Sequence, residues 1–179
     1  MSLDFLAFLY GGVTAVLGAA LLAAPRAAAA GLRAFPRHVW AGRLLAGVDI
    51  VWSACLLRQA GFAWVADHPA LILLAVPAAY ALVIVFVDEL LAARALGGLL
   101  LLVPLPVLES AFVHPSPARL AMTAFAYLLA IAGMVLVWSP YKLRQGTERW
   151  IGRRPLARAA GAAILLIGAG LMLLGWAVY

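Results

Sequence analysis

The sequence predicts an all-α protein, a polytopic membrane helical bundle with six transmembrane helices. Composition is the first observation: of the 179 residues, 67% are hydrophobic and 11% are charged, whereas a soluble domain is about 25% charged. The second is that the apolar residues form runs of roughly 20, the helical length that crosses a hydrocarbon core about 30 Å thick. We therefore expect residues 1–179 to form a single transmembrane domain.

The six helices are taken in chain order from the apolar runs and the residues that end them. They cover about 5–24, 40–57, 69–87, 95–112, 119–138 and 156–178. A signal peptide would carry a basic segment before its first apolar run, but Asp4 is the only charge there, so the first helix is expected to be retained. The fourth helix contains Pro104 and Pro106, and proline interrupts a helix because it has no backbone N–H.

Basic residues on alternate connections predict the orientation of the chain. Of the 13 Lys and Arg residues, only Arg58 and Arg119 lie on one side. The others lie on the opposite side: Arg26, Arg33, Arg37, Arg43, Arg94, Lys142, Arg144, Arg149, Arg153, Arg154 and Arg158. Cytoplasmic loops are enriched in Lys and Arg, so both termini are expected outside the cytoplasm. The preference for Arg, Ala, Leu and Gly is typical of GC-rich bacteria, and the bacterial inner membrane is the expected location.

Two basic connectors, about 26–37 and 141–154, are expected to be ordered, and the second is expected to lie in the membrane interface with its apolar side down. For the second connector, an irregular basic loop is the alternative. Contacts with anionic lipid head groups are assigned to Arg26, Arg33, Arg37, Lys142, Arg144, Arg149, Arg153 and Arg154. The net charge of +6 is explained by loops that face anionic lipid, so no nucleic-acid partner is expected.

A shift of 115 residues aligns the first hairpin with the last. It pairs Pro25 with Pro140, Gly18 with Gly133 and Arg43 with Arg158. This predicts a parallel duplication of a helical hairpin, about 5–58 and 120–178, around a central hairpin, with a pseudo-two-fold axis along the membrane normal. The alternative is convergence on a common hairpin pattern.

The repeated unit is an apolar helix, a proline, a basic connector with an aromatic residue (Phe35 or Trp150), an arginine and a Gly-rich helix. In this it resembles small two-helix bacterial inner-membrane proteins of unknown function. The resemblance covers roughly residues 5–58 and 120–178 and implies no activity.

Asp49 is the most informative single residue, because it lies near the middle of the second predicted helix. An ionised carboxylate there costs about 2.5–3.5 kcal/mol on insertion scales. One hypothesis is a proton, cation or substrate site formed with Ser53 and Arg43. The other is a buried polar tie from Asp49 to Arg43, to Arg158 or to a backbone group.

Glu109 is a candidate secondary site, because it follows the proline break in the fourth helix and broken helices carry transporter sites. A solvated helix end is the other interpretation. The three His residues lie at helix ends, the single cysteine, Cys55, excludes an intrachain disulfide, and no catalytic or phosphate-binding motif is present. We expect no enzyme activity, no cofactor and no metal.

Small residues four apart, such as Gly11, Ala15 and Ala19 in the first helix, allow helices to approach closely. With the short external loops, they favour a non-catalytic accessory, scaffold or assembly subunit of a bacterial membrane complex. Its partners would be other membrane subunits or a second copy. The alternative is a small transporter or channel, expected to be a dimer, that uses Asp49 in the membrane.

Overall fold

The computed structural model describes residues 2–61, 68–87, 90–148 and 154–179, and this part of the chain is helical without strands. The helices are α1 (Leu3–Ala23), α2 (Pro25–Ala34), a 3₁₀ turn (Phe35–Arg37), α3 (Val39–Gln59), α4 (Pro69–Phe86), α5 (Leu91–Leu102), α6 (Pro104–Val113), α7 (Arg119–Trp138), α8 (Tyr141–Gly146) and α9 (Arg154–Ala177). Five stretches are long and apolar enough to cross a membrane: α1, α3, α5 with α6, α7 and α9. The all-helical, multi-pass prediction is confirmed at this level.

The region predicted as one helix over 95–112 begins earlier, at Leu91, and is divided into α5 and α6. The division falls at Val103, immediately before Pro104, which has no N–H to donate to the preceding turn. Val103 keeps helical dihedral angles, so the break interrupts the hydrogen-bond ladder without forming a loop. The predicted interruption at the prolines is therefore confirmed as a division into two helices within one apolar stretch.

Helices α1 and α9 form the most extensive helix pair, and glycines lie along their contact. Gly11 of α1 faces Gly168 of α9, and Gly18 faces Gly161. A β-carbon added at Gly168 would lie 2.6 Å from the carbonyl oxygen of Gly11, and one at Gly18 would lie 2.8 Å from that of Gly161. Because the contacts run in opposite directions along the two helices, the pair is antiparallel and its backbones touch.

Glycine also brings α5 against α7. A β-carbon at Gly133 of α7 would lie 2.7 Å from the carbonyl oxygen of Gly97 in α5. A cluster of buried side chains, among them Leu6, Val107 and Met122, joins α1 and α9 to α6 and α7. These contacts hold α1, α5, α6, α7 and α9 together as the main body of the bundle.

Helix α3 lies beside this body and runs parallel to α5. Gly42 packs against Ala92 and, further along both helices, Asp49 packs against Gly98. On its other side α3 contacts α4, where Gly47 approaches the Tyr80 ring and the end of α3 around Arg58 faces Ile72 and Leu73. Helix α4 is therefore antiparallel to α3 and packs chiefly on it.

The first basic connector is helical, and the second is helical at its start. Proline at the first position of a helix costs no hydrogen bond, and α2 begins at Pro25 with Ala29 buried on its inner face. Helix α2 contacts both α8 and α9. The side chains of Arg26, Arg33, Arg37, Lys142 and Arg154 are exposed at this end. Arg144 lies in α8, whereas Arg149 and Arg153 lie outside the described residues.

The two helices that the repeat makes equivalent have different partners. Gly18 of α1 contacts α9, whereas its counterpart Gly133 of α7 contacts α5. Both glycines are points of close helix approach, which fits their shared position in the repeat. The duplication itself stays a prediction.

Candidate functional site

The described residues enclose a cleft of about 910 Å³ between α1, α3 and α6. Asp4 and Tyr10 line it from α1, Trp52 and Gln59 from α3, and Glu109 from α6. Ser2 and Tyr179 line its mouth, so the first and last described residues lie at the same end of the bundle. We call this space the terminal cleft.

The terminal cleft exists because α3 separates from α5 and α6 on the C-terminal side of Asp49. Below that level α3 and α5 touch at Gly42 and Ala92. Above it, the proline break at Pro104 starts α6, which packs on α7 rather than on α3. The separation opens the cleft toward the ends of α3 and α6, while close packing seals the other end.

Asp49 comes before the cleft-lining residues of α3 in the sequence and lies next to the closed end of the cleft. It precedes Trp52, the deepest α3 residue of the lining, by three residues, a rise of about 4.5 Å along the helix. Its carboxylate occupies the space left by the missing side chain of Gly98, since a β-carbon there would lie 2.6 Å from Asp49 Oδ2. Asp49 Oδ1 is buried and has no hydrogen-bond partner among the described residues. The carboxylate is thus held against α5 with unused hydrogen-bonding capacity.

The other two members of the predicted site, Arg43 and Ser53, lie in the same helix as Asp49. Arg43 Nε is also buried without a partner among the described residues, and the Arg43 guanidinium lies 5.8 Å from the centroid of the Trp40 ring. The Ser53 side chain is exposed. The assignment of Arg43 and Ser53 to the Asp49 site stays a prediction.

Glu109 is exposed on α6 and lines the terminal cleft. The helix break that drew attention to it is present, five residues before it in the chain. Its exposure near the end of α6 fits a solvated helix end and its place in the cleft lining fits a secondary site, so the choice between the two stays a prediction.

A set of polar contacts closes the loop between α6 and α7 at the mouth of the cleft. The Tyr179 hydroxyl donates to the Ala118 carbonyl at 2.6 Å, and Arg119 Nη1 donates to the carbonyls of Phe112 and His114 at 3.0 Å each. The rings of Tyr179 and His114 meet edge to face, with centroids 5.1 Å apart. Burial raises the pKa of Tyr179, which keeps its hydroxyl protonated as a donor.

Among the described residues, no group of three or more His, Cys, Asp or Glu is placed to hold a metal ion. No family model, curated protein or solved structure matches the chain. The candidate site therefore has to be judged on its own residues.

Sequence reasoning identified Asp49 and Glu109 but not the cleft or the role of Gly98. The adjacent pair Gly97 and Gly98 was the available signal, because neighbouring positions on a helix point about 100° apart. One glycine then faces α7 and the other faces α3. The sequence alone does not show which helices are neighbours, so it could not identify α5 as the helix that contacts Asp49.

Proposed function

We propose that the protein is a small, non-catalytic membrane transporter that takes up a cation through the terminal cleft and binds it, or a proton, at Asp49. The observation that supports this most is the position of the Asp49 carboxylate, which fills the space beside Gly98 where a side chain is missing. One of its oxygens is buried and has no hydrogen-bond partner among the described residues. Ionisable residues inside a membrane are costly and mark substrate, ion or proton pathways. A cleft that is open at one end, with α3 and α5 in contact beyond the other, fits one state of an alternating-access cycle. Because six helices are few for a solitary carrier, the proposal includes a dimer.

The proposal places the chain in a bacterial inner membrane with six crossings. Helices α3 and α5 are parallel, so the chain has to return to its starting side between them. Helix α4 is antiparallel to α3, and its 18 residues span about 27 Å at 1.5 Å per residue. It supplies the return as a sixth crossing. The excess of Arg at the opposite end puts the terminal cleft and both termini outside the cytoplasm.

Cys55 offers a direct test of this orientation, because it is exposed, lines the cleft and is the only cysteine in the chain. We expect a membrane-impermeant maleimide to label Cys55 in intact spheroplasts but not in sealed inside-out vesicles. Cys55→Ser is the control and abolishes labelling. Labelling only from the cytoplasmic face would contradict the orientation.

The transport proposal itself is tested with the purified wild-type chain in sealed liposomes. An imposed potential, negative inside, is expected to drive protons inward, measured with an internal pH-sensitive dye against protein-free liposomes. Chemical cross-linking of the same preparation in detergent tests whether the protein is a dimer. A rate equal to that of protein-free liposomes, with and without an added organic cation, would contradict the proposal.

A second candidate, the accessory or assembly subunit, is supported by the position of α4. This helix packs chiefly on α3, and its large apolar side chains Leu73, Val85 and Phe86 are 70–78% exposed. Another membrane subunit packed on α4 would cover them. Purification in a gentle detergent followed by mass spectrometry separates the two candidates: a stoichiometric membrane partner favours the accessory role, and a homodimer favours the transporter.

The basic end is proposed to contact anionic head groups through its exposed Arg and Lys side chains. Helix α2 has one buried face and exposed Arg26 and Arg33, the pattern of a helix lying in the interface. This contact supports either function, because it fixes the depth of the bundle in the bilayer.

A further inference from the structure

From the terminal cleft we infer the substrate class, an organic cation with an aromatic or aliphatic body. This inference rests on the proposed function and names what its cleft accepts. The first observation is size: the cleft measures about 910 Å³, within the range of about 300–1,000 Å³ that holds drug-sized ligands. A bare inorganic ion would leave nearly all of that space unfilled.

The charge of the lining selects for a cation. Asp4 and Glu109 contribute two carboxylates, and none of the described lining residues is Lys or Arg. Arg58, which is adjacent to the lining residue Gln59 in the chain, lines a separate cavity between α3 and α4. Arg119 donates to two loop carbonyls, which orients its guanidinium toward the loop. An anion would therefore meet carboxylates without a compensating Arg or Lys in the described lining.

The uncharged part of the lining selects for an apolar body around the charge. Trp52 and Tyr10 present rings on opposite walls, and Leu9, Leu56 and Leu105 add aliphatic surface. A cation over the face of a Trp or Tyr ring gains about 0.5–2 kcal/mol, and contact between apolar surfaces adds to this. Carboxylates, rings and aliphatic walls together fit a lipophilic ammonium or phosphonium ion.

The test compares two probes of the same shape and opposite charge, tetraphenylphosphonium and tetraphenylborate. Binding to the wild-type chain in zwitterionic lipid nanodiscs is measured by equilibrium dialysis, with empty nanodiscs subtracted. We expect saturable binding of the phosphonium, one ion for each cleft, and no saturable binding of the borate. Equal binding of both ions, or no saturable binding of either, would overturn the inference.

Variants locate the binding. Glu109→Gln is expected to weaken phosphonium binding about tenfold, and Trp52→Leu about two- to thirtyfold, the range of a cation–ring contact. The matched controls, Glu148→Gln and Trp138→Leu, change the same residue types at the opposite end of the bundle and are expected to leave binding unchanged. If the controls weaken binding as much as the cleft variants do, the ion binds elsewhere and the inference fails.

The experiments distinguish a failure of the substrate class from a failure of the proposed transport function. Cation binding that depends on Glu109 without any ion flux would leave the substrate class standing and remove the transporter. Flux that depends on Asp49 without phosphonium binding would leave the transporter standing and remove the substrate class.

Discussion

Replacing Asp49 by Asn is expected to abolish ion flux through the protein while leaving the bundle folded. The amide has the size of the carboxylate, so it still fits the space beside Gly98. Because the amide is neutral, it also lowers the free-energy cost of placing the side chain in the membrane. What is lost is the charge and the site that binds a proton. We expect the flux in sealed liposomes to fall at least about a hundredfold, which corresponds to about 2.7 kcal/mol.

Gly98→Ala provides the companion variant, because it moves the same carboxylate without changing its chemistry. The added methyl would lie 2.6 Å from Asp49 Oδ2, so the short aspartate side chain has to leave its position. Flux is expected to fall strongly, and the double variant should be no worse than Asp49→Asn alone, because residues in contact are not additive. Gly12→Ala, at a helical position where nothing lies within 4 Å of an added β-carbon, is the control. Normal flux in Asp49→Asn would remove Asp49 from the pathway.

Gly168→Ala is expected to cause the largest loss of stability. A β-carbon there would meet backbone atoms of Gly11 and Ala15, and backbone has no alternative rotamer through which to yield. In a membrane, helices are held by van der Waals packing rather than by the hydrophobic effect, so separating α1 from α9 removes the main force between them. Overpacking costs about 1–3 kcal/mol, and we expect the upper part of that range or more.

The matched control for this experiment is Gly170→Ala, two positions along the same helix. Nothing lies within 4 Å of a β-carbon at Gly170, and alanine favours a helix over glycine by up to about 1 kcal/mol. Thermal unfolding in detergent, followed by circular dichroism, is expected to show a lower midpoint for Gly168→Ala and an unchanged or higher midpoint for Gly170→Ala. Equal midpoints for the two variants would show that the glycine contact does not hold the pair.

The order and bounds of the apolar helices followed from the sequence because lipid imposes length and composition directly. The helix over 119–138 has the predicted ends, since Arg119 and Pro140 mark them chemically. The helix predicted to begin at residue 95 begins four residues earlier, at Leu91, because Arg94 belongs to the helix and not to the connector. It lies within the first turn of α5, where its side chain is exposed.

Helix pairing was beyond the sequence. Residues four apart predicted a contact stripe through Gly11, Ala15 and Ala19. Gly11 and Ala15 lie in the contact with α9, but Ala19 is exposed and the contact continues through Gly18 instead. A spacing of seven keeps one face toward a partner over several turns, as in a coiled coil. The choice of α9 as that partner depends on which glycines meet across the whole bundle, and no local pattern encodes it.

The pairing of α1 with α9 also constrains how the molecule is made. Every other described helix is synthesised between these two, so α1 enters the bilayer long before its partner emerges from the ribosome. During that interval its glycine face is covered only by lipid tails, which cannot enter the groove as closely as a second backbone does. Formation of the α1–α9 pair therefore includes a docking step in which α9 replaces lipid against the glycines of α1.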